Sequence, residues 1–196
     1  MYLNKLHIGI LFCFFSLNLV AQNNSHNQAK KHRFSLYGGV GPNYYFNNLV
    51  IDKNRVHPWN YSLTARMMWE PEHFLSLGIE SGYYQLYTFN YTTTTFGPVH
   101  VTNIAIPVQL VVSMKFLKNY YADMSVGQSH LLNKFKSSNM GSFDAFSWSL
   151  ADFGTTVGYK YLFKDRVSIG AETKFFYSTK HNDSNLAFVL MTGYNF

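Results

Sequence analysis

Oily and polar positions alternate along most of the chain, most clearly at its C-terminal end. In the run from Asn185 to Phe196, Leu186, Phe188, Leu190, Tyr194 and Phe196 share one side of a strand, with Thr192 as the polar exception. Asn185, Ala187, Val189, Met191, Gly193 and Asn195 share the other. A period of two marks an extended strand with one bulky apolar face and one small or mixed face. The same period predicts eight strands, at about 32–46, 58–69, 73–88, 100–115, 119–132, 146–161, 166–178 and 185–196.

The segments between these strands alternate in length. Asn47–His57, Thr88–Val99 and Asn133–Ala145 are long and polar. Glu70-Pro71-Glu72, Phe116-Leu117-Lys118 and Leu162–Asp165 are short, and Thr179–Ser184 is intermediate. Long connections at one end and tight turns at the other predict antiparallel neighbours in an up-and-down barrel. An even strand count brings both termini to the end with the short turns.

The faces say what surrounds the barrel. Tyr61, Leu63, Ala65, Met67 and Trp69 oppose Asn60, Ser62, Thr64 and Arg66. Leu75, Leu77, Ile79 and Tyr83 oppose Ser76, Gly78, Glu80 and Gly82. Ile104, Ile106, Val108, Leu110, Val112 and Met114 oppose Asn103, Ala105, Pro107, Gln109, Ser113 and Lys115. Arg66, Glu80, Asp123, Asp152, Lys160, Glu172 and Lys174 all fall on the small, polar side. A Lys or Arg facing lipid at mid-depth costs about 2–4 kcal/mol, whereas charges of both signs inside a narrow barrel can pair. The expected fold is therefore all-β, an eight-stranded antiparallel transmembrane barrel with its oily face on lipid and these seven residues as a luminal charge network. Eight strands leave a lumen that side chains just fill. A soluble lipocalin-like barrel would invert the faces and needs far more exterior Lys and Glu. Pro107 cannot donate to a ladder and predicts a bulge or a loosened pair there.

Composition agrees. Charged residues make up 13% and aromatic residues 18% of the chain, with 15 Tyr and 18 Phe, where soluble domains carry about 25% charge. Membrane barrels place aromatic residues in girdles at both interfaces. The net charge of +6 owes much to Lys30, Lys31 and Arg33, and a solvated tail accounts for it without a nucleic-acid partner.

Residues 1–21 read as a cleaved signal peptide: Lys5 and His7, an apolar run from Ile8 to Val20, and Ala21 before Gln22. That run falls short of the ~20 residues that span a bilayer as a helix. Residues 22–31 are polar and aperiodic and read as a flexible lead-in, leaving 32–196 as the barrel domain. Cys13 is the only cysteine. Its loss with the signal leaves no disulfide and no thiolate chemistry.

The final strand and its terminal Phe196 resemble the C-terminal strand of bacterial outer-membrane barrels. That resemblance implies that Phe188, Leu190, Tyr194 and Phe196 act as an assembly signal for the barrel-assembly machinery. Asn103-Ile-Ala-Ile-Pro-Val-Gln-Leu110 resembles the Ile-Pro-x-x-Leu segment of the PorT-like outer-membrane β-barrel family. Tyr37–Gly41 and Leu77–Tyr83 are similar to that family as well, so the resemblance covers about 33–196. It implies a bacterial outer-membrane location with lipids as neighbours. The family's naming member implies a link to protein secretion.

No chemistry stands out. Ser129 and His130 are adjacent and so point to opposite faces. His181, Asp183 and Ser184 fall in the last connection, and His57, His73 and His100 are scattered. No catalytic, cofactor or metal residues are assigned. The expected role is a non-enzymatic anchored scaffold or binding protein whose loops meet a protein or glycan ligand. The alternatives are an accessory part of secretion or envelope assembly, a lipid-modifying enzyme, or a small pore.

Overall fold

The computed structural model describes residues 33–46, 56–71, 74–94, 97–139, 141–163 and 166–196. The expected signal peptide and lead-in, Cys13, His73 and most of Asn47–His57 lie outside the described residues.

Among the described residues, nine strands form one antiparallel sheet: β1 (Arg33–Phe46), β2 (Val56–His57), β3 (Trp59–Glu70), β4 (Leu75–Thr93), β5 (Gly97–Lys115), β6 (Tyr120–Ser137), β7 (Gly141–Phe163), β8 (Val167–Ser178) and β9 (Asp183–Asn195). Eight of them close into a ring, because β4 pairs β5 and β1 pairs β9. The expected second strand, 58–69, is β3, whereas β2 falls at the end of the expected loop Asn47–His57 and pairs with Thr88 and Phe89 of β4. Each chain neighbour in the ring is also a spatial neighbour, so the topology is up-and-down. Closure removes the sheet edges that lipid would not tolerate.

The ring is uneven in height. β4 to β7 contain 18 to 23 residues, whereas β1, β3, β8 and β9 contain 12 to 14. This corrects two expected loops. Most of Thr88–Val99 continues the β4–β5 ladder as far as Thr93 and Gly97, and most of Asn133–Ala145 continues the β6–β7 ladder as far as Ser137 and Gly141. Thr, Val and aromatic residues at these positions favour a pleated surface, and polar content alone concealed it. Gly97 and Gly141 have φ of 64° and 80°, values a side chain resists, and each opens the return strand.

Two bulges keep the faces in phase. Leu86 is extra between Gln85 and Tyr87, which pair Ile104 and Asn103. Leu150 and Ala151 lie opposite Gln128 between the Ser129–Ser149 and Gly127–Asp152 pairs. Pro107 causes no bulge: the β4–β5 register is the same on either side of it, and the ladder simply lacks pairs there.

Outside, the middle of the wall is aliphatic, with Leu36, Val40, Leu63, Ile79, Val108, Leu110, Val126, Ile169 and Leu190 exposed. Aromatic residues crowd both rims. Tyr44 meets Trp59 edge-on at 5.1 Å near one rim, and Tyr120 meets Tyr159 at 5.0 Å near the other. Ile104 departs from its expected exposure and is buried. It pairs Gln85 beside the β4 bulge, where the regular pleat is interrupted.

Candidate functional site: a sealed lumen beneath tall hairpins

Long charged side chains from four strands converge at mid-barrel. Arg66 on β3 bonds Glu80 on β4 and Asp123 on β6, both at 2.6 Å, and Glu172 on β8 at 3.1 Å. Lys174 on β8 pairs Glu80 and lies 3.4 Å from Glu172. All five are buried. The planar guanidinium suits this place because it offers several donors in fixed directions, and three carboxylates take them. The cluster ties opposite walls together across the axis.

A second cluster lies nearer the short turns. Glu70 accepts from Lys115 at 2.6 Å and Lys160 at 3.3 Å. Lys160 also donates to the Tyr37 hydroxyl at 2.9 Å and lies over the Tyr37 ring. Tyr121 links the two layers by donating to Glu172 at 2.6 Å. Tyr121 faces Gly158 across the ladder and Tyr37 faces Gly193. A methyl group at either glycine would overlap the facing ring, so the missing side chains make room for aromatic fillers. Beside Arg66, Tyr121 and Lys160 the remaining cavity is about 10 Å³, near the least that holds one water.

An apolar layer closes the other half. Tyr45, Tyr84, Leu86, Tyr87, Leu131 and Phe176 are buried there. Tyr84 stacks on Phe176 with ring centres 5.4 Å apart, and Tyr45 meets Tyr87 at 4.9 Å. Above it, Tyr45 donates to Asp183 at 2.5 Å.

The expected seven-residue network is therefore divided. Arg66, Glu80, Asp123, Glu172 and Lys174 meet, and Lys160 joins the lower cluster instead. Among the described residues no cation pairs with Asp152. It accepts from Ser149 at 2.5 Å and from the Thr179 backbone at 3.2 Å, beside the β7 bulge. Glu70 and Lys115 were not expected in a network. Glu70 read as a turn residue because Pro71 follows it, although its alternation with Arg66 and Met68 was a usable signal. Asp183 read as a solvated loop residue but begins β9, buried against Tyr45.

Ser129 points inward and is fully buried, while His130 points outward and stacks on Trp148 at 4.7 Å. The two do not form a dyad. His100 is exposed near the β4–β5 tip, 2.5 Å from Asn90 and 3.2 Å from Thr102. Among the described residues no group of His, Cys, Asp or Glu is arranged to hold a metal ion. Phe188, Leu190, Tyr194 and Phe196 all face outward. At the hairpin tips, Asn90, Tyr91, His100, Lys136 and Ser137 border a cleft of about 740 Å³.

Comparison with known proteins places this geometry. No curated protein matches the chain in sequence. Among solved structures, the chain is similar to Ail, the attachment invasion locus protein of Yersinia pestis, in complex with the heparin analogue sucrose octasulfate. Identity is 14%, coverage is 85% of this chain and 99% of that one, and the TM-score is 0.57. It is similar also to Neisserial surface protein A, at 13% identity over 83% of this chain and 97% of that one, with a TM-score of 0.54. These likenesses show the fold, that of a small eight-stranded membrane barrel. The profile of the family described as outer membrane protein beta-barrel domain matches residues 10–196. The chain belongs to that family, and the protein is a β-barrel of the bacterial outer membrane.

Proposed function

We propose that the protein is a non-enzymatic, membrane-anchored binding protein or scaffold whose external hairpins meet a protein or glycan ligand. One observation carries the reading. β4 to β7 rise beyond the rim that β8, β9, β1 and β3 reach, over a lumen filled by ion pairs and aromatic rings. A wall built above a stopper serves contact better than passage. The filled lumen supports this over a pore, and the separation of Ser129 from His130 supports it over a lipid-modifying enzyme. Lys134, Lys136 and His100 are exposed on the tall wall, and Ail holds a sulfated sugar, so an anionic glycan is the first ligand to try.

The test replaces residues 89–99 and 134–144 with short turns. Folding is followed by migration of unheated samples on detergent gels, and binding by sucrose octasulfate titration and attachment to glycan and protein surfaces. The expected result is a folded barrel that has lost binding. Equal binding by the shortened barrel would overturn the reading.

A second reading is an accessory role in secretion or envelope assembly. The PorT-like resemblance of Asn103–Leu110, which lies within β5, supports it. A partner co-purifying from native membranes and lost on altering the short turns would favour it. Residues 1–21 are proposed as the cleaved signal and 22–31 as a periplasmic lead-in. The outward Phe188, Leu190, Tyr194 and Phe196 are proposed as the assembly signal. Membrane lipids and the barrel-assembly machinery are then partners, and no cofactor is invoked.

A further inference from the structure

The tall wall has two unlike edges. On the β4 side, β2 lies against Thr88 and Phe89. On the β7 side, β8 leaves after the Asp152–Ser178 pair, while β7 goes on pairing with β6 up to Gly141. Among the described residues, the run from Ser142 to Leu150 therefore has a strand neighbour on one side only. At strand rise it measures roughly 25–30 Å. Every second residue of it turns a backbone N–H and C=O away from β6.

Proteins usually blunt such an edge with Lys, Pro, a short strand or a bulge within it. This run has no Lys and no Pro, and its single charge is Asp144. The bulge sits at its foot, at Leu150–Ala151. Aromatic side chains border the edge on both faces instead. Phe146 and Trp148 are 64% and 59% exposed on the outer side. Phe143 is exposed on the other, stacked on Phe135 at 4.8 Å. An added strand would find the rings of Phe146 and Trp148 beside it on the outer face and that of Phe143 on the inner, the kind of cross-strand pair that stabilises sheets.

The occupant can be narrowed. Two copies in one membrane are related by an axis along the membrane normal. That operation keeps the up–down sense of β7 and reverses its tilt, so two β7 edges tilted by about 40° would cross rather than align. Arg33, where β1 begins, lies at the opposite end of the barrel, beside Glu70. A segment arriving from the external solvent meets neither obstacle. With Asp144 on the edge and Lys134 and Lys136 on the next strand, an uncharged segment is favoured over a highly charged one.

We infer that the free edge of β7, from Ser142 to Leu150, receives an extended, uncharged segment of another protein as an added strand. This rests on the reading that the hairpins bind a partner, and it names the partner's chemical form.

The test is hydrogen exchange on the full chain in detergent micelles, with the nonapeptide Thr-Val-Thr-Val-Thr-Val-Thr-Val-Thr as probe. Two control peptides are N-methylated on one or the other set of alternate residues. At the alternate residues of Ser142–Leu150 whose N–H points away from β6, exchange should be fast without peptide and slow at least tenfold, saturably, with the unmodified probe. One N-methylated set, the set facing β7, should give no protection. Ala145→Pro should abolish protection, and Ser147→Lys, which keeps the backbone donor, should weaken it if the proline variant loses the hairpin. Equal protection by all three peptides, no protection by any, or slow exchange at those outward-facing amides before peptide is added would overturn the inference. If glycan binding depends on the tips while this edge stays fast-exchanging, the edge inference fails and the binding reading stands. If tip replacement leaves every binding unchanged, the reading itself fails.

Discussion

Arg66 is the residue on which the interior turns. Its guanidinium reaches three carboxylates from three other strands. An apolar substitute would leave those carboxylates buried with Lys174, among the described residues, as their one nearby cation. Removing one partner of a buried ion pair costs about 3–5 kcal/mol, even where the intact pair contributes little net stability. Arg66→Met should therefore lower unfolding stability in detergent by about that amount, measured by guanidinium titration of tryptophan fluorescence. A loss near zero would mean that the cluster is solvated and the lumen open. Gly158 tests the packing side of the same interior. A methyl group there meets the Tyr121 ring, and overpacking a filled core costs about 1–3 kcal/mol. Gly158→Ala should lose stability in that range. Tyr121→Ala in the same chain should recover part of the steric cost, as a double-mutant cycle reads.

Strands show where side-chain phase is protected and where it is not. β8 has no bulge, and Glu172 and Lys174 both face inward across Thr173. Deleting Thr173 makes them adjacent, so one must turn to lipid, at about 2–4 kcal/mol for a lysine at mid-depth. The variant should fail to give the compact band in unheated gels. Leu86 is already the extra residue of its bulge. Its deletion leaves Tyr84 and Tyr87 facing inward and should still yield a folded barrel, less stable by the 2–5 kcal/mol typical of removing a buried leucine side chain. Folding of both deletions, or of neither, would contradict this account of phase.

At the scale of the whole molecule, the lumen carries two stoppers in series. The ion cluster fills one level and the Tyr84–Phe176 layer closes the next. The unchanged protein should show no steady conductance in planar bilayers. Lys174→Ala alone should stay silent because the aromatic layer remains. Combined with Tyr84→Ala and Phe176→Ala it should conduct. Conductance from Lys174→Ala alone would show that the aromatic layer is not a seal.

What the sequence determined by itself is the facing of side chains. A strand has a period of two whatever it pairs with, and charge facing lipid is costly, so Arg66, Glu80, Asp123, Glu172 and Lys174 could be assigned to the interior before any pairing was known. Sequence pattern does not carry register or height. Glu70 and Lys160 become neighbours only because β1, β3 and β7 close on one axis, and Asp152 stands apart because a bulge beside it turns it toward Ser149. Thr88–Val99 and Asn133–Ala145 read as loops because their polar content carries no clean alternation. Outside lipid neither face must be apolar, so ladder hydrogen bonds and not burial hold those residues extended. The bare edge of β7 exists because β8 stops earlier than its neighbour, and only tertiary pairing decides where two strands part.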